Sequence, residues 1–124
     1  MEGFTAKEID SMQTVNEGIV KLAGAELGVE SFGIQVFDFP AGFTDYPEHD
    51  HSEEEIEEVY LALDGSAEFE IDGARVPLDR GLMVRVGAAT RRKLWPGPEG
   101  VRLLAIGRPV DGRYERPKGL ELAG

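Results

Sequence analysis

Residues 58–78 read EVYLALDGSAEFEIDGARVPL, and this stretch decides the fold class. Residues 67–72 alternate apolar and acidic side chains, which is typical of a strand with one buried face. The dipeptide Asp72-Gly73 follows and favours a tight turn between antiparallel strands. We therefore predict a hairpin whose second strand, residues 75–78, lies near a sheet edge because Pro77 cannot donate a backbone hydrogen bond.

The rest of the chain has the same rhythm of short apolar segments between turns. These segments are about five to eight residues long and rich in Val, Ile, Leu and Phe, which favours an all-β sandwich or barrel. Residues 32–39 and 101–106 are apolar on both faces and are predicted to be covered on both sides. Residues 82–86 alternate, with their even-numbered members apolar. Residues 6–12 or 21–27 are predicted to hold a short helix.

Composition excludes several classes of function. With 124 residues the chain is expected to form one domain. It has no cysteine, so thiolate catalysis, cysteine-bound metals and disulfides are excluded. We find no signal peptide or membrane span and expect a cytoplasmic protein. The net charge of −11 argues against nucleic acids and acidic membrane surfaces as partners.

The charge is divided unevenly along the chain. Up to Asp72 there are 19 acidic and 2 basic residues, and from Gly73 onward there are 5 acidic and 11 basic residues. Such a division is compatible with a charged tail, with a binding surface, or with two halves that face each other. Composition alone does not choose among these three.

The only two histidines stand in one tripeptide, His49-Asp50-His51. On an extended strand, residues i and i+2 point to the same face, about 7 Å apart. A run of glutamates leads from there to Glu58, at the start of an apolar segment. Two imidazoles and one carboxylate suit Fe, Mn, Ni or Zn. We therefore predict His49, His51 and Glu58 as ligands of a divalent transition metal; two exposed histidines in an acidic loop are the alternative.

These residues resemble the first signature of the cupin superfamily. In that family a glycine precedes His-x-His, and a glutamate with six further residues leads to a second glycine; here these are Gly42, His49, His51, Glu58 and Gly65. The resemblance implies a single double-stranded β-helix, a jelly-roll barrel, over residues 31–107. Outside the barrel we expect a segment with a strand and a short helix at 1–30, which packs on the barrel, and a C-terminal arm at 108–124. Cupins serve many functions, so the resemblance names no substrate.

The chain departs from the family pattern in its spacing and at one ligand. The spacing from Gly42 to His49 is one residue longer than usual. Six residues separate His51 from Glu58, where three or four are common, so a bulging acidic loop is expected. The position that matches the last histidine of the second signature is Arg92, and a guanidinium cannot bind a cation.

Two arrangements follow if Arg92 points into the barrel. In the first, a metal binds to the other three ligands and Arg92 clamps an anionic group of a ligand. In the second, Arg92 pairs with Glu58 and the pocket works without a metal. A solvated basic turn at residues 91–93 is the third alternative. Tyr60 shares the face of Glu58 and is predicted to line the pocket.

Two classes of function therefore stay open, and the catalytic residues stay unassigned. One is a binding or sensing barrel for a small, anionic molecule. The other is a metal-dependent oxygenase or isomerase that acts on a small organic acid. Val59, Leu61 and Leu63 would face away from the pocket and need cover. We expect that cover to come from the N-terminal segment or from a second copy in a homodimer.

Overall fold

The computed structural model describes residues 3–124, and these form a barrel of antiparallel strands. The elements are, in chain order, a 3-10 helix Ile9–Ser11, β1 Thr14–Val15, β2 Val20–Lys21, α1 Ala23–Leu27, β3 Gly33–Phe39, β4 Ile56–Ile71, β5 Ala74–Asp79, β6 Met83–Val86, β7 Arg92–Pro109 and a second 3-10 helix Lys118–Leu120. Among the described residues, no helix is long and apolar enough to cross a membrane.

Two long strands organise the sheet. β4 and β7 pair with each other along almost their whole length, with register shifts near Ala62 and Gly65. β3 pairs with the second half of β7, while β5 and β6 pair with the two halves of β4. Because each long strand has different neighbours along its length, the sheet curls and closes around one core.

The predicted hairpin is confirmed. Ala67 pairs with Leu78 and Phe69 with Val76, so β4 and β5 bury matching faces. Asp72 and Gly73 both have positive φ angles, 48° and 83°, as a type I′ turn requires. Within the described part of the chain, β5 has no second neighbour in the sheet, which is the edge position that tolerates its proline.

The alternation over residues 82–86 holds only in part. Val84 and Val86 face the core, but Leu82 is 42% exposed. The reason is local, because the backbone N–H of Leu82 donates to the carbonyl of Asp79 and closes a turn. The strand therefore starts one residue later, at Met83.

The N-terminal segment covers part of the outer sheet surface. A small apolar cluster joins Met12 and Ala23 to Val36 of β3, with Leu104 of β7 at its edge. The short helix falls within residues 21–27, one of the two stretches where we expected it. On the neighbouring outer face of β4, the predicted strip of Val59, Leu61 and Leu63 is only half-buried.

Many ion pairs join the acidic first part of the chain to the basic second part. Arg102 bonds to Asp38 and Asp10, and other pairs connect Arg85 with Glu57, Arg91 with Glu48, Arg92 with Glu58 and Arg75 with Glu68. Of the three readings of the charge division, the structure favours two halves that face each other.

Candidate functional site

The structure brings His49, His51 and Glu58 together at one end of the barrel. One ligand atom from each of the three lies within 4.8 Å of the others. The histidine segment is held by the start of β7, because His49 and Arg92 exchange two backbone hydrogen bonds of 2.8 and 3.0 Å. The two imidazole rings stand edge to face, with their centres 4.9 Å apart.

Glu58 is the centre of a hydrogen-bonded cluster. Its Oε1 atom accepts hydrogen bonds from the Arg92 Nη1 at 2.7 Å, from the His51 Nε2 at 3.1 Å and from the Tyr60 hydroxyl. Burial raises the pKa of Glu58, but the hydrogen bonds from His51 and Tyr60 and the nearby positive charges outweigh burial, so the pKa falls below its ordinary value of 4.5. Glu58 is therefore a carboxylate at neutral pH.

Arg92 stands behind Glu58. Its side chain is fully buried, which excludes the alternative in which Arg92 belongs to a solvated basic turn. Its Nη2 atom donates to the carbonyl oxygens of Gly87 and Thr90 at 2.7 and 2.9 Å. Arg92 therefore holds Glu58 in place. It does not line the cavity described below, so in this arrangement its guanidinium does not face a ligand as the expected anion clamp would.

The two histidines differ in their polar partners. The His49 Nδ1 lies 2.9 Å from the carbonyl oxygen of Pro47, within hydrogen-bond distance. His51 stands between two carboxylates, with Nε2 near Glu58 and Nδ1 3.5 Å from Glu54. The hydrogen bond to Glu58 raises the pKa of His51 above its ordinary value of 6.5 and favours the imidazolium.

The three side chains are of a type that binds divalent metals, and they lie close together. Their present contacts, however, compete with metal binding. Two imidazoles and a carboxylate are suitable ligands. To bind, however, the His51 Nε2 must leave Glu58 and lose its proton. The guanidinium of Arg92 is a permanent cation 2.7 Å from the carboxylate and weakens its attraction for a second cation.

A cavity of about 270 Å³ opens beside this cluster. Its wall combines the charged end with mostly apolar side chains. The lining residues are Gly33, Gln35, Phe37, Tyr46, His49, His51, Ile56, Glu58, Tyr60, Leu103, Ala105, Gly107, Tyr114, Pro117 and Leu120. Gly107 is required beneath Glu58, because a Cβ atom there would stand 2.8 Å from the Glu58 Cγ. Tyr60 lies in the wall, where sequence reasoning expected it.

The C-terminal arm supplies part of this wall, which sequence reasoning missed. Tyr114 is 8% exposed and packs on the backbone of Gly33. Arg116 anchors the arm by donating to the carbonyls of Gly24 and Val29. The sequence of the arm is polar and rich in Gly and Pro. The isolated aromatic Tyr114 was therefore the only sign in the sequence that part of the arm is buried.

Several solved structures share this architecture. A cupin protein from Bacteroides fragilis is 19% identical and aligns over 100% of this chain and 98% of its own, with a TM-score of 0.72. An RmlC-like cupin protein from Desulfovibrio desulfuricans is 32% identical over 65% of this chain and 76% of its own, with a TM-score of 0.55. KdgF from Halomonas sp. is 18% identical over 80% and 86%, with a TM-score of 0.65. No family model and no curated protein matches the sequence.

Proposed function

This chain belongs to the cupin superfamily, and from that premise we propose that it binds a small, uncharged organic molecule in the cavity beside Glu58. The volume of about 270 Å³ is close to the lower end of the usual range of ligand pockets, about 300–1,000 Å³. A molecule of about ten non-hydrogen atoms is the size that we expect.

The ion pair between buried Arg92 and Glu58, whose side chain lines the cavity, carries this proposal. Such pairs contribute little net stability, because taking both charges out of water costs about as much as their attraction returns. A barrel that needed only a stable core would be served as well by apolar residues at these positions. A charged cluster that faces a cavity instead suits the recognition of a ligand.

The free atoms of the cluster support a ligand that donates hydrogen bonds. Within residues 3–124, neither the Glu58 Oε2 nor the His49 Nε2 takes part in a hydrogen bond. The Glu58 Oε2 is an acceptor, and the donors of Arg92 are directed at Glu58 and at backbone carbonyls. A hydroxyl group therefore suits this end of the cavity better than the anionic group that we expected from the sequence.

Titration of the ¹⁵N-labelled protein with two ring compounds tests the proposal. We expect benzyl alcohol to shift the amide resonances of Gly33, Tyr60 and Gly107, and benzoate to bind more weakly. Ala105→Leu fills the cavity floor, where Ala105 is 5% exposed, and should abolish these shifts. The matched control is Ala74→Leu, which adds the same atoms at an exposed site of β5.

Two results would refute the binding function. One is that benzyl alcohol leaves the cavity amides unmoved in the wild type. The other is that Ala105→Leu binds as well as Ala74→Leu, since the shifts would then come from another part of the surface.

A metal-dependent function is the second candidate, supported by the 4.8 Å grouping of His49, His51 and Glu58. These three residues would hold a divalent Fe, Mn, Ni or Zn ion. The ion would supply Lewis-acid or redox chemistry to an oxygenase or isomerase for a small organic acid. Elemental analysis of untagged protein and titration with Zn²⁺ test this candidate.

Arg92→His is the positive control for the metal titration, because it adds a third imidazole and removes the competing cation. We expect this variant to bind Zn²⁺ more tightly than the wild type. Trace metal in the wild type, without uptake on titration, removes the metal candidate and leaves the binding function in place.

We also propose that two copies of this chain form a homodimer through the outer face of β4. The half-buried strip of Val59, Leu61 and Leu63 lies beside Met83, which is 63% exposed, and Leu61 pairs with Leu104 at the edge of the N-terminal cluster. A second copy would bury this strip, and closed twofold dimers are the commonest assemblies. Sedimentation at micromolar concentration should give a dimer, and a monomer there would refute it.

A further inference from the structure

The C-terminal arm forms part of the cavity wall but is joined to the barrel by few contacts. Three of its side chains line the cavity, namely Tyr114, Pro117 and Leu120. Within residues 3–124, the last backbone hydrogen bond between this end of the chain and the barrel runs from the Val110 N–H to the carbonyl of Glu55. Beyond it the arm has no strand, and residues 111–113 and 117–119 are exposed.

Tyr114 joins the arm to the barrel by packing. It is 8% exposed and lies over Gly33 of β3, where an added Cβ atom would stand 3.1 Å from its ring. The strand register aligns Gly33 with Gly107 of β7, and Gly107 with Glu58 of β4. Tyr114 therefore covers the level of the barrel at which Glu58 faces the cavity, two strand spacings or about 10 Å across the sheet. A molecule bound beside Glu58 would lie within reach of the Tyr114 ring.

Arg116 is the main polar anchor of the arm. Its side chain is 17% exposed, and its Nη2 donates to the carbonyls of Gly24 and Val29. A second anchor is the backbone N–H of Ala123, which donates to the Gln13 side chain at 2.8 Å. A segment with a single buried side chain and so few anchors belongs to the least stable parts of a fold, which open locally while the core stays folded.

We propose that the C-terminal arm is a strap that opens between Val110 and Tyr114 and closes over the ligand. This inference rests on the proposed binding function and describes how the same cavity is regulated. Gly112, with a φ angle of 87°, gives the chain a point of low backbone restriction inside that stretch. A ligand in the cavity contacts Tyr114, Pro117 and Leu120 only while the arm is closed, so its binding favours the closed state.

Limited trypsin digestion of the intact chain, followed by mass spectrometry, measures how often the arm opens. Trypsin can cut the arm after Arg113 and after Lys118, which are both exposed, and an ordered segment must open before it is cut. We expect benzyl alcohol at about ten times its Kd to slow both cuts about tenfold, because the ligand holds the arm closed. A free peptide of residues 110–124 in the same tube reports any direct effect of benzyl alcohol on trypsin.

Arg116→Met tests the anchor, because it keeps most of the aliphatic side chain and removes the guanidinium. Without ligand, its arm should be cut about tenfold faster than that of the wild type, since the hydrogen bonds from a charged donor are lost. The matched control is Arg80→Met, which makes the same change at an exposed position after β5 and should be cut at the wild-type rate.

The possible results separate this inference from the proposed function. If benzyl alcohol shifts the cavity amides but leaves the cutting of the arm unchanged, the strap is refuted while cavity binding stands. The strap is also refuted if Arg116→Met is cut no faster than Arg80→Met, or if cuts inside the barrel are as fast as those in the arm, since the whole chain would then be unfolding. If benzyl alcohol leaves the cavity amides unmoved, both proposals fail.

Discussion

Arg92→Met should destabilise the fold strongly, because it removes the permanent cation beside a buried carboxylate. The Arg92 side chain is fully buried, and that of Glu58 is 18% exposed at the other end of a 2.7 Å contact. Removing one partner of such a pair costs about 3–5 kcal/mol. We expect a loss of about 3 kcal/mol, because His51 and Tyr60 still donate to the same oxygen and offset part of the loss.

Urea unfolding followed by the fluorescence of Trp95, the one tryptophan, measures this loss. A loss of about 3 kcal/mol lowers the melting temperature by roughly 10 °C in a domain of this size. The double variant Glu58→Gln/Arg92→Met should be more stable than Arg92→Met, because no charge is then left buried. The matched control is Arg91→Met, which removes a side chain that is 55% exposed and should cost under about 1 kcal/mol.

Two results would contradict this reasoning. The first is an Arg92→Met protein within about 1 kcal/mol of the wild type, which would place the pair among weak surface contacts. The second is a double variant no more stable than Arg92→Met, which would show that the loss comes from packing and from the backbone carbonyls instead of the unpaired charge.

Two further predictions concern a close approach and a titration. Gly107→Ala should lower the melting temperature by an amount that corresponds to about 1–3 kcal/mol, because the added Cβ atom would displace Glu58. The control is Gly119→Ala, whose Cβ atom would meet no described atom within 4 Å. Equal melting temperatures for the two variants would argue against the close packing of Gly107 on Glu58. Burial raises the pKa of Asp38, but the Arg102 guanidinium outweighs burial and holds the pKa below 3.8. The stability from this pair is therefore present above pH 3.8 and is lost as the pH falls further, so Asp38→Asn should flatten the dependence of the urea midpoint on pH there. An unchanged pH profile would contradict it.

Local patterns were sufficient for the hairpin and for the barrel class. The alternation in residues 67–72 and the Asp-Gly turn depend only on neighbours in the chain, and β4 and β5 follow them. The beginning of β6 was less predictable, because apolar Leu82 continues the alternation while a turn hydrogen bond keeps it outside the strand.

The members of the site were predictable, and the Arg92–Glu58 contact was one of the alternatives that the sequence left open. The spacing of His49, His51 and Glu58 predicted that they meet, and they do. The direction of Arg92 depends on a bridge between His49 and β7, which are 43 residues apart in the chain, and no local pattern encodes such a contact.

The division of charge has a consequence for assembly. The hairpin turn at Gly73 separates a segment with 19 acids and 2 bases from one with 5 acids and 11 bases. The strands of the second segment, β5, β6 and β7, all pair with strands of the first. A chain cut at this turn would thus give two oppositely charged fragments with matching edges. Electrostatic attraction should make the two fragments associate faster at low salt than at high salt. The turn would therefore be a suitable site at which to split the protein into two fragments that reassemble.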